Sequence, residues 1–249
     1  MHFIPTKGVS EMITNKVELS NMVIQKAFSE HDWRKCAVAC SFGKDSMAVL
    51  HLVRQFCPDV LVIFCNTGVE YPQTLKFRDR ILKKWDINYF EAKPEKGDSF
   101  WSITRKYGLP HIRTDGHTKY RVPKCCMRLK DEPGLKAYRE HGIELCFTGI
   151  TSAESRNRWM LQRRCGDYYF AKTDGIWKCH PIMSWTEADV YQYHEENRIP
   201  LNPLYSEFPG VRVGCMPCTS YNSWPKTMAK TTPRLYRQIQ KMRGQELID

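Results

Sequence analysis

A short polar turn after the first apolar stretch of the sequence has the composition of a phosphate-binding loop. The stretch "KCAVAC" (35–40) precedes "SFGKDS" (41–46), and helical spacing of apolar residues follows. A glycine lets the backbone approach a phosphate, serine hydroxyls donate hydrogen bonds, and a lysine supplies a point charge. The N-terminus of the next helix adds partial positive charge. We therefore expect the polar residues of this turn to bind phosphate groups; they are Ser41, Gly43, Lys44 and Ser46. Asp45 is expected to hold the turn or a metal ion.

The spacing within this turn differs from that of two commoner phosphate loops. The pattern G-x-x-x-x-G-K-[ST] is absent from the sequence, and so is the glycine fingerprint of dinucleotide-binding proteins. A lone Ser-x-Gly-x-x-Ser is weak by itself, since serine and glycine also begin ordinary helices. The nucleotide interpretation therefore depends on what the rest of the chain contains.

Two pairs of cysteines form a second group that could do chemistry. "KCCMRLKDEPGLK" (124–136) contains Cys125 and Cys126, and "GCMPC" (214–218) contains Cys215 and Cys218. Four thiolates can close a tetrahedral zinc site or hold an iron–sulfur cluster. Adjacent cysteines suit a cluster with several irons better than a single zinc ion, because neighbouring side chains diverge. Zinc remains the main alternative, and four unrelated buried thiols are the other.

The elements that must position these groups alternate along the chain. Five apolar stretches are predicted to be strands: 35–40, 59–65, 87–93, 143–150 and 177–182. Helices are predicted around them over 15–33, 44–56, 72–85, 99–108 and 185–198, the last capped by Thr186. This alternation predicts an α/β fold with a doubly wound, mainly parallel five-stranded sheet flanked by helices. Ligands bind such sheets at the carboxyl ends of the strands, where the "SFGKDS" turn lies.

The same pattern predicts how the chain is divided. Residues 1–220 are expected to form one nucleotide-binding domain that includes the four cysteines. Residues 221–249 are expected to form a C-terminal extension, mostly a basic helix that ends near residue 246. Residues 108–124 show no periodicity and are expected to form a loop.

The charge of the chain favours polyanionic partners. The formal net charge is +11, which favours nucleotides, nucleic acid or acidic proteins. "RNRWMLQRR" (156–164) concentrates four arginines around Trp159. That stretch suits phosphate contact with base stacking, and it equally suits a solvated surface loop.

The composition also bears on the cellular compartment. No run is apolar and long enough to span a bilayer, and the N-terminus lacks the apolar core of a signal peptide. We expect a soluble, cytoplasmic protein with no membrane partner, in which the eleven cysteines form no disulfide framework. Cysteines in or beside apolar runs are expected to be small buried hydrophobes: Cys36, Cys40, Cys57, Cys65 and Cys146.

Four motifs give this chain a family resemblance. "SFGKDS" resembles the PP-loop of the adenine nucleotide α-hydrolase superfamily, whose members cleave ATP between the α and β phosphates or bind adenylyl sulfates. "FCNTGVEYPQTLKF" (64–77) is similar to the second-strand motif of the sulfonucleotide reductase branch. "GITSAESRNR" (149–158) and "HPIMSWTEADVYQYHEENRIPLNPLY" (180–205) resemble later motifs of that branch. The motifs occur in the family order and cover about residues 30–220.

The resemblance implies roles for particular residues. The nucleotide-binding residues would be Ser41, Phe42, Gly43, Lys44, Asp45, Ser46, Asn66, Thr67, Gly68, Gly149, Arg156 and Arg158. Among these, the catalytic residues would be Lys44, Asp45 and Ser46. The cysteine pairs resemble the Cys-Cys…Cys-x-x-Cys signature of the cluster-bearing reductases, including the downstream Arg128 and Lys130. That signature implies a [4Fe–4S] cluster held by Cys125, Cys126, Cys215 and Cys218.

The sequence departs from the reductases in two places. Sulfite-forming reductases use a nucleophilic cysteine in a mobile C-terminal tail, and no cysteine follows Cys218 here. Thr151 stands where many reductases have an arginine. These departures favour an ATP pyrophosphatase, which converts ATP to AMP and pyrophosphate while adenylylating an oxygen that sulfur then replaces. The chain is similar in this respect to the ATP pyrophosphatase subunits of bacterial DNA phosphorothioation systems.

The leading hypothesis is therefore an iron–sulfur ATP pyrophosphatase that acts with Mg²⁺ in sulfur transfer to nucleic acid, most of all DNA phosphorothioation. A DNA acceptor and a cysteine desulfurase are the expected partners. Arginines would face phosphates of the nucleotide or DNA: Arg156, Arg158, Arg163 and Arg164. One alternative is a reductase of phosphoadenylyl or adenylyl sulfate, for which Cys165 and Cys179 are the internal thiols considered. Another is a metal-stapled nucleic-acid-binding module.

Overall fold

The structure is a computed structural model that describes residues 7–110 and 123–246. Its residues fall into two compact units. The first unit comprises the described residues up to Ile63, together with Ile81–Phe90 and Tyr138–Leu201. The second comprises Phe64–Arg80 and the described residues of 91–137 and 202–249. Each unit is therefore assembled from three separate stretches of sequence, and the division at residue 220 remains a prediction.

Six strands form one mostly parallel sheet. They are β1 (Cys36–Ala39), β2 (Leu61–Cys65), β3 (Tyr89–Ala92), β4 (Leu145–Thr148), β5 (Tyr168–Ala171) and β6 (Ile176–Cys179). The order across the sheet is β3-β2-β1-β4-β6-β5, and β1 pairs in parallel with β2 and β4. The α/β fold with a parallel sheet is confirmed, and β5 is a sixth strand, antiparallel to β6, that the apolar pattern did not predict.

Eleven helices are found in the described part of the chain. They are α1 (Lys7–Glu30), α2 (Lys44–Arg54), α3 (Pro72–Trp85), α4 (Phe100–Tyr107), α5 (Lys124–Cys126), α6 (Glu132–Glu140), α7 (Arg156–Cys165), α8 (Glu187–Glu196), α9 (Leu204–Glu207), α10 (Trp224–Thr231) and α11 (Pro233–Glu246). A π-helical turn, Met127–Asp131, joins α5 to α6. None of the described helices is long and apolar enough to cross a membrane.

The helix signals in the sequence correspond to real termini. Thr186 caps α8 through a capping box with Asp189, as the sequence predicted. Ser99 and Ser102 form a capping box at the start of α4. That helix ends at Gly108, whose φ of +79° is costly for any residue with a Cβ. Most of the loop expected over 108–124 lies outside the described residues.

The core of the first unit surrounds its central strands. β1 and β4 are buried on both faces, which is why their sequences are continuous apolar runs. The largest fully buried side chains include Phe147 of β4 and Trp185, whose indole N–H donates to the Ser20 hydroxyl at 3.1 Å. The Ser20 hydroxyl also donates to the Pro181 carbonyl at 2.6 Å, so this buried hydroxyl of α1 is satisfied, whereas the neighbouring Asn21 Oδ1 is buried without a hydrogen-bond partner among the described residues.

The second unit has its own apolar cluster. Eight buried residues form it: Phe100, Ile103, Leu109, Cys125, Leu129, Trp224, Met228 and Ile239. These side chains come from α4, α5, the π-helical turn, α10 and α11, so packing of the C-terminal helices stabilises the segment that carries Cys125. At about 25 cal/mol per Å² of apolar surface, this burial is the main favourable contribution to the unit.

Candidate nucleotide site and cysteine group

The start of α2 has no side-chain cap within the described part of the chain. Residues 40–43 connect β1 to α2, and Gly43 takes the N-cap position with extended backbone angles. No side chain of the described residues caps the helix there. The first N–H groups of a helix have no partner within the helix, so this end offers hydrogen-bond donors and the positive end of the helix dipole. Both properties favour an anion such as phosphate.

The side chains of the turn fix its shape. The Ser46 hydroxyl donates to the Gly43 carbonyl at 3.0 Å and lies 3.2 Å from the Ser41 hydroxyl. Phe42 adopts a left-handed φ of +58°, which is uncommon for a residue other than glycine. Its ring is fully buried. Phe42 can therefore offer only its backbone to a nucleotide, and burial of the ring helps to hold the turn in this conformation.

Lys44 is held by acidic and aromatic neighbours. Its Nζ atom lies 2.9 Å from an Asp45 carboxylate oxygen and 3.5 Å from a Glu187 carboxylate oxygen. The same atom is 5.9 Å from the centroid of the Tyr191 ring. The ammonium group is thus held in the first turn of α2, and the role of Asp45 in holding the turn or a metal ion remains a prediction.

Gly149 permits a close backbone approach. A Cβ atom at this position would lie 2.6 Å from both the Asp45 carbonyl carbon and the Ser46 backbone nitrogen. Real Cβ atoms essentially never come that close. The turn after β4 therefore packs directly against the first turn of α2, and Gly149 shapes the phosphate site through packing.

His194 connects α8 to the same helical turn. Its Nε2 atom lies 2.7 Å from the Lys44 carbonyl oxygen, and its Nδ1 atom lies 3.2 Å from the Ile199 carbonyl oxygen. Burial lowers the pKa of His194, although both carbonyl acceptors oppose the shift. A neutral ring has a single N–H to donate, and the shorter contact places that proton on Nε2. His194 thereby anchors the backbone of Lys44.

A second buried histidine lies at the carboxyl end of β6. The Nδ1 atom of His180 is 2.6 Å from the Thr148 hydroxyl, and its Nε2 atom is 3.4 Å from the Tyr169 hydroxyl. Burial lowers the pKa of His180 to about 4, and the positive charges of Lys178 and Arg158 add to this effect. The ring is therefore neutral at pH 7.

The motif after β2 belongs to the second unit. The Asn66 side chain accepts a hydrogen bond from the Gly68 N–H at 2.9 Å and donates to Glu91 at 2.5 Å. Gly68 has a φ of +78°. The Thr67 hydroxyl donates to a Glu70 carboxylate oxygen at 2.7 Å. Asn66, Thr67 and Gly68 thus form a fixed turn, and their contact with adenosine remains a prediction.

The four predicted ligand cysteines all belong to the second unit. A hydrogen bond from Cys126 lowers the pKa of the Cys125 thiol, on which Cys215 and Cys218 also act electrostatically. Burial raises the pKa of Cys215 to about 12, with further contributions from Glu70, Cys218 and Cys126. The backbone of Cys215 pairs with Glu70 in an isolated antiparallel bridge. The four thiols are therefore electrostatic neighbours in a partly buried environment.

The four thiols do not form a closed metal site in the structure. Within residues 7–110 and 123–246, no three His, Cys, Asp or Glu side chains are placed to hold a metal ion. Thiols buried without a cation favour the protonated form, and a bound metal ion would reverse that preference. The four cysteines have the donor chemistry of a cluster, but their side chains are not placed around a common metal position, and the [4Fe–4S] cluster remains a prediction.

The remaining cysteines differ in exposure. Cys36, Cys40, Cys57 and Cys146 are buried, as predicted, and Cys65 is only half-buried. Burial raises the pKa of Cys36 to about 12 and that of Cys40 to about 11, so these thiols are poor nucleophiles. Cys165 is the only exposed cysteine of the eleven, all of which the structure describes.

The arginine-rich stretch is a helix, α7, and its arginines differ in their surroundings. Arg158 is half-buried, forms an ion pair with Glu154 and contributes to the lowered pKa of His180. Arg156, Arg163 and Arg164 are exposed. Of these four arginines, only Arg158 is thus shown to affect the pKa of a residue at the carboxyl ends of the strands, which is His180.

Sequence reasoning missed several residues that shape these sites. His194, Glu187 and Tyr191 contact Lys44 or its backbone from α8. The Thr67 hydroxyl contacts both the Glu70 carboxylate and the Cys215 sulfur, which lies 3.3 Å from it. The available signal was a histidine on the buried face of a predicted helix, which by itself does not indicate a partner.

Comparison with known proteins identifies the family. Residues 35–221 match the family described as phosphoadenosine phosphosulfate reductase domain. The chain belongs to this family. A phosphoadenosine 5'-phosphosulfate reductase of Xylella fastidiosa (strain M23) is 29% identical over 181 residues, which are 72% of this chain and 70% of that protein. Members of the family are enzymes of sulfur metabolism with a PP-loop fold, and this protein is an enzyme of that type.

Solved structures of low identity share the fold of this family member. The phosphoadenylyl-sulfate reductase from Candida auris superposes with a TM-score of 0.61 at 20% identity, covering 86% of this chain and 98% of that one. The U34-tRNA thiolase NcsA from Methanococcus maripaludis, which was solved with its [4Fe-4S] cluster, gives a TM-score of 0.50 at 15% identity. It covers 95% of this chain and 79% of the thiolase. At these identities the likeness concerns the fold alone.

Proposed function

We propose that this enzyme uses ATP as an adenylylating reagent, releases pyrophosphate, and acts in the transfer of sulfur to nucleic acid, with DNA phosphorothioation as the first pathway to test. The observation that carries the proposal is the N-terminus of α2, which has no side-chain cap among the described residues and holds Lys44 in its first turn. Helix N–H groups and a lysine ammonium can stabilise the negative charge that increases on the pyrophosphate leaving group of a triphosphate.

The distribution of thiols favours ATP activation over sulfonucleotide reduction. A reductase that forms an enzyme-bound thiosulfonate needs a thiolate that can reach the sulfate sulfur. Six of the eleven cysteines are buried and four are half-buried, including three of the proposed ligands, so Cys165 is the one exposed thiol that could fill this role. Activation of an oxygen by ATP needs no such thiolate. It needs groups that bind phosphates, and the polar turn after β1 would supply them.

The chemistry assigned to the protein is an adenylyl transfer. An acceptor oxygen attacks the α-phosphorus of ATP, the bond between that phosphorus and the bridging α–β oxygen breaks, and pyrophosphate leaves. The helix N–H groups and Lys44 would stabilise the charge of the leaving pyrophosphate, and Ser41 and Ser46 would orient the phosphates. Asp45 is the turn residue whose carboxylate would contact Mg²⁺ of MgATP. A sulfur nucleophile delivered by a partner enzyme would then attack the acceptor atom that bears the adenylylated oxygen. The bond from that atom to the oxygen would break, and AMP would leave with the oxygen.

A cluster, if bound, would be held by Cys125, Cys126, Cys215 and Cys218. It would supply a redox-active or sulfur-binding iron centre. The Thr67 hydroxyl oxygen lies 3.3 Å from the Cys215 sulfur, and its single proton is donated to Glu70.

The second candidate function is reduction of phosphoadenylyl sulfate or adenylyl sulfate to sulfite. It is favoured by the curated relatives, which are named as phosphoadenosine 5'-phosphosulfate reductases at 29–30% identity. In that case the exposed Cys165 is the thiol that the structure nominates as nucleophile, since Cys179 is buried and its pKa is raised by burial.

The deciding experiment compares two products from protein purified without oxygen. Pyrophosphate release from MgATP and sulfite release from each adenylyl sulfate, with a thiol reductant, are measured for wild type, Lys44→Ala and the exposed control Lys83→Ala. Pyrophosphate without sulfite, lost only in Lys44→Ala, is the expected result. Sulfite that disappears in Cys165→Ser would establish the reductase instead. Neither product, together with DNA binding that Lys44→Ala leaves unchanged, would indicate a nucleic-acid-binding module.

Metal content is tested on the same protein. Iron and acid-labile sulfide near four each per chain are expected for a [4Fe–4S] cluster, with loss of both in Cys215→Ser. One zinc per chain without sulfide would replace the cluster by a structural zinc site.

A further inference from the structure

The exposed face of α7 has an unusual composition. On a helical projection at 3.6 residues per turn, five residues share one side: Arg156, Trp159, Met160, Arg163 and Arg164. All five are exposed, with Trp159 and Met160 at 49% and 37% of their full accessibility. The half-buried residues lie on the other side of the helix: Arg158, Leu161 and Gln162. The helix thus packs through one side and presents arginines around two large apolar side chains on the other.

The charges of this face are not balanced within the helix. α7 contains four arginines and no acidic residue, and the nearby Glu154 is paired with Arg158 on the other side. The guanidinium group of Arg163 lies 5.1 Å from the Trp159 ring centroid, so it holds the indole and adds positive charge beside it. The face is therefore complementary to a partner that has both negative charge and flat apolar groups.

We propose that this face of α7 binds an unpaired stretch of the DNA strand, with a base stacked on Trp159 and phosphates contacted by Arg156, Arg163 and Arg164. This inference rests on the proposed function, in which DNA is the sulfur acceptor. Arginines that track a backbone next to an exposed aromatic ring form the usual platform for single-stranded nucleic acid. A base can cover an indole only where it is not already stacked within a duplex.

The surface fits other polyanions less well. A membrane surface would require a broader apolar face than one tryptophan and one methionine. An acidic protein segment would satisfy the arginines but has no regular flat group for the indole. Single-stranded DNA supplies both from every nucleotide. The face extends over nine residues from Arg156 to Arg164, whose eight steps make about 12 Å at 1.5 Å per residue, so it spans more than one nucleotide.

The test is a binding titration of the full chain with a fluorescein-labelled single-stranded DNA of twenty nucleotides, followed by anisotropy at several salt concentrations. Trp159→Ala is expected to weaken binding about 5- to 150-fold, as stacking contributions of one base predict. The double variant Arg163→Gln, Arg164→Gln is expected to reduce the slope of log K against log salt by about 1.4, since each phosphate contact to a single strand contributes about 0.7.

Matched controls are present in the chain. Trp33 is another exposed tryptophan, at 42%, and Arg234 and Arg237 are exposed on α11. Trp33→Ala and Arg234→Gln, Arg237→Gln should leave the affinity and the salt slope close to those of wild type. Circular dichroism melting confirms that each variant is folded.

The outcomes separate this inference from the proposed function. Equal losses in the α7 variants and in their controls would overturn the assignment of the surface, as would tighter binding of duplex DNA or of RNA than of single-stranded DNA. Pyrophosphate release by wild type is measured independently. If it is absent while the α7 variants still lose DNA binding selectively, the proposed function fails and the DNA surface stands.

Discussion

Substitution of Gly149 by alanine tests the architecture of the phosphate site most directly. The added Cβ would lie 2.6 Å from two backbone atoms at Asp45 and Ser46, whereas ordinary contact begins at 3.4 Å. The two backbones would therefore have to separate by about 0.8 Å, the difference between these distances. Neither neighbour is a flexible side chain that can turn away. Gly149 is not among the glycines with positive φ, so the predicted effect is steric and involves no backbone strain.

Two effects of different size are expected. Overpacking of this kind costs about 1–3 kcal/mol of folding free energy, which a thermal melt detects. Displacement of the first turn of α2 would also weaken its N–H contacts to phosphate. Loss of one hydrogen bond to a charged group costs about 1.5–3 kcal/mol, so Kd for ATP should rise roughly 10- to 150-fold.

The assay is calorimetric titration with a non-hydrolysable ATP analogue, alongside the thermal melt. Gly244→Ala is the matched control, because a Cβ at Gly244 of α11 meets no atom within 4 Å. It should leave Kd unchanged and stabilise the helix by up to about 1 kcal/mol. Wild-type affinity and melting temperature in Gly149→Ala would refute the close approach between the β4 turn and α2.

Three further predictions concern buried side chains. His194→Ala should raise Kd for ATP about tenfold, because the Lys44 backbone loses its anchor, whereas His194→Gln, which retains a donor, should recover part of the affinity. The pKa of about 4 for His180 is below its unfolded value of 6.5, so stability present above pH 6.5 should fall by about 3 kcal/mol as pH drops towards 4. Urea unfolding between pH 4 and 8 should therefore show a shallower dependence in His180→Gln; an unchanged slope contradicts the assignment. Trp224→Ala should cost about 3–5 kcal/mol by opening a cavity in the second unit, against less than about 0.5 kcal/mol for the exposed Trp33→Ala.

The central parallel strands could be predicted from the sequence because burial on both faces leaves an unambiguous apolar run, and the polar turn between β1 and α2 could be placed from them. Phosphate binding by that turn remains a prediction. β5 could not be predicted in this way. Its residues, "YYFA", are half-buried or exposed at the edge of the sheet, so they lack the continuous apolar pattern. The signal that was present is Asp174-Gly175, a dipeptide typical of hairpin turns, and Gly175 has a φ of +71°.

The partners of individual side chains could not be predicted from the sequence, for a different reason. His194 contacts a backbone carbonyl 150 positions earlier, and no local pattern encodes such a distance. α7 was not predicted as a helix because it has no apolar stripe. One side of this helix carries half-buried residues and the other carries exposed arginines. A hydropathy pattern alone does not distinguish these two sides.

The interleaving of the second unit has a consequence for biosynthesis. Cys125 and Cys126 belong to its middle stretch, and Cys215 follows Cys126 by 89 positions in its last stretch. A chain emerging from the ribosome therefore exposes the first pair of thiols before the second pair has been synthesised. The apolar cluster that buries Cys125 cannot be completed until Trp224 and Ile239 have also been synthesised. Any metal held by all four cysteines can accordingly bind only after Cys218 has been synthesised.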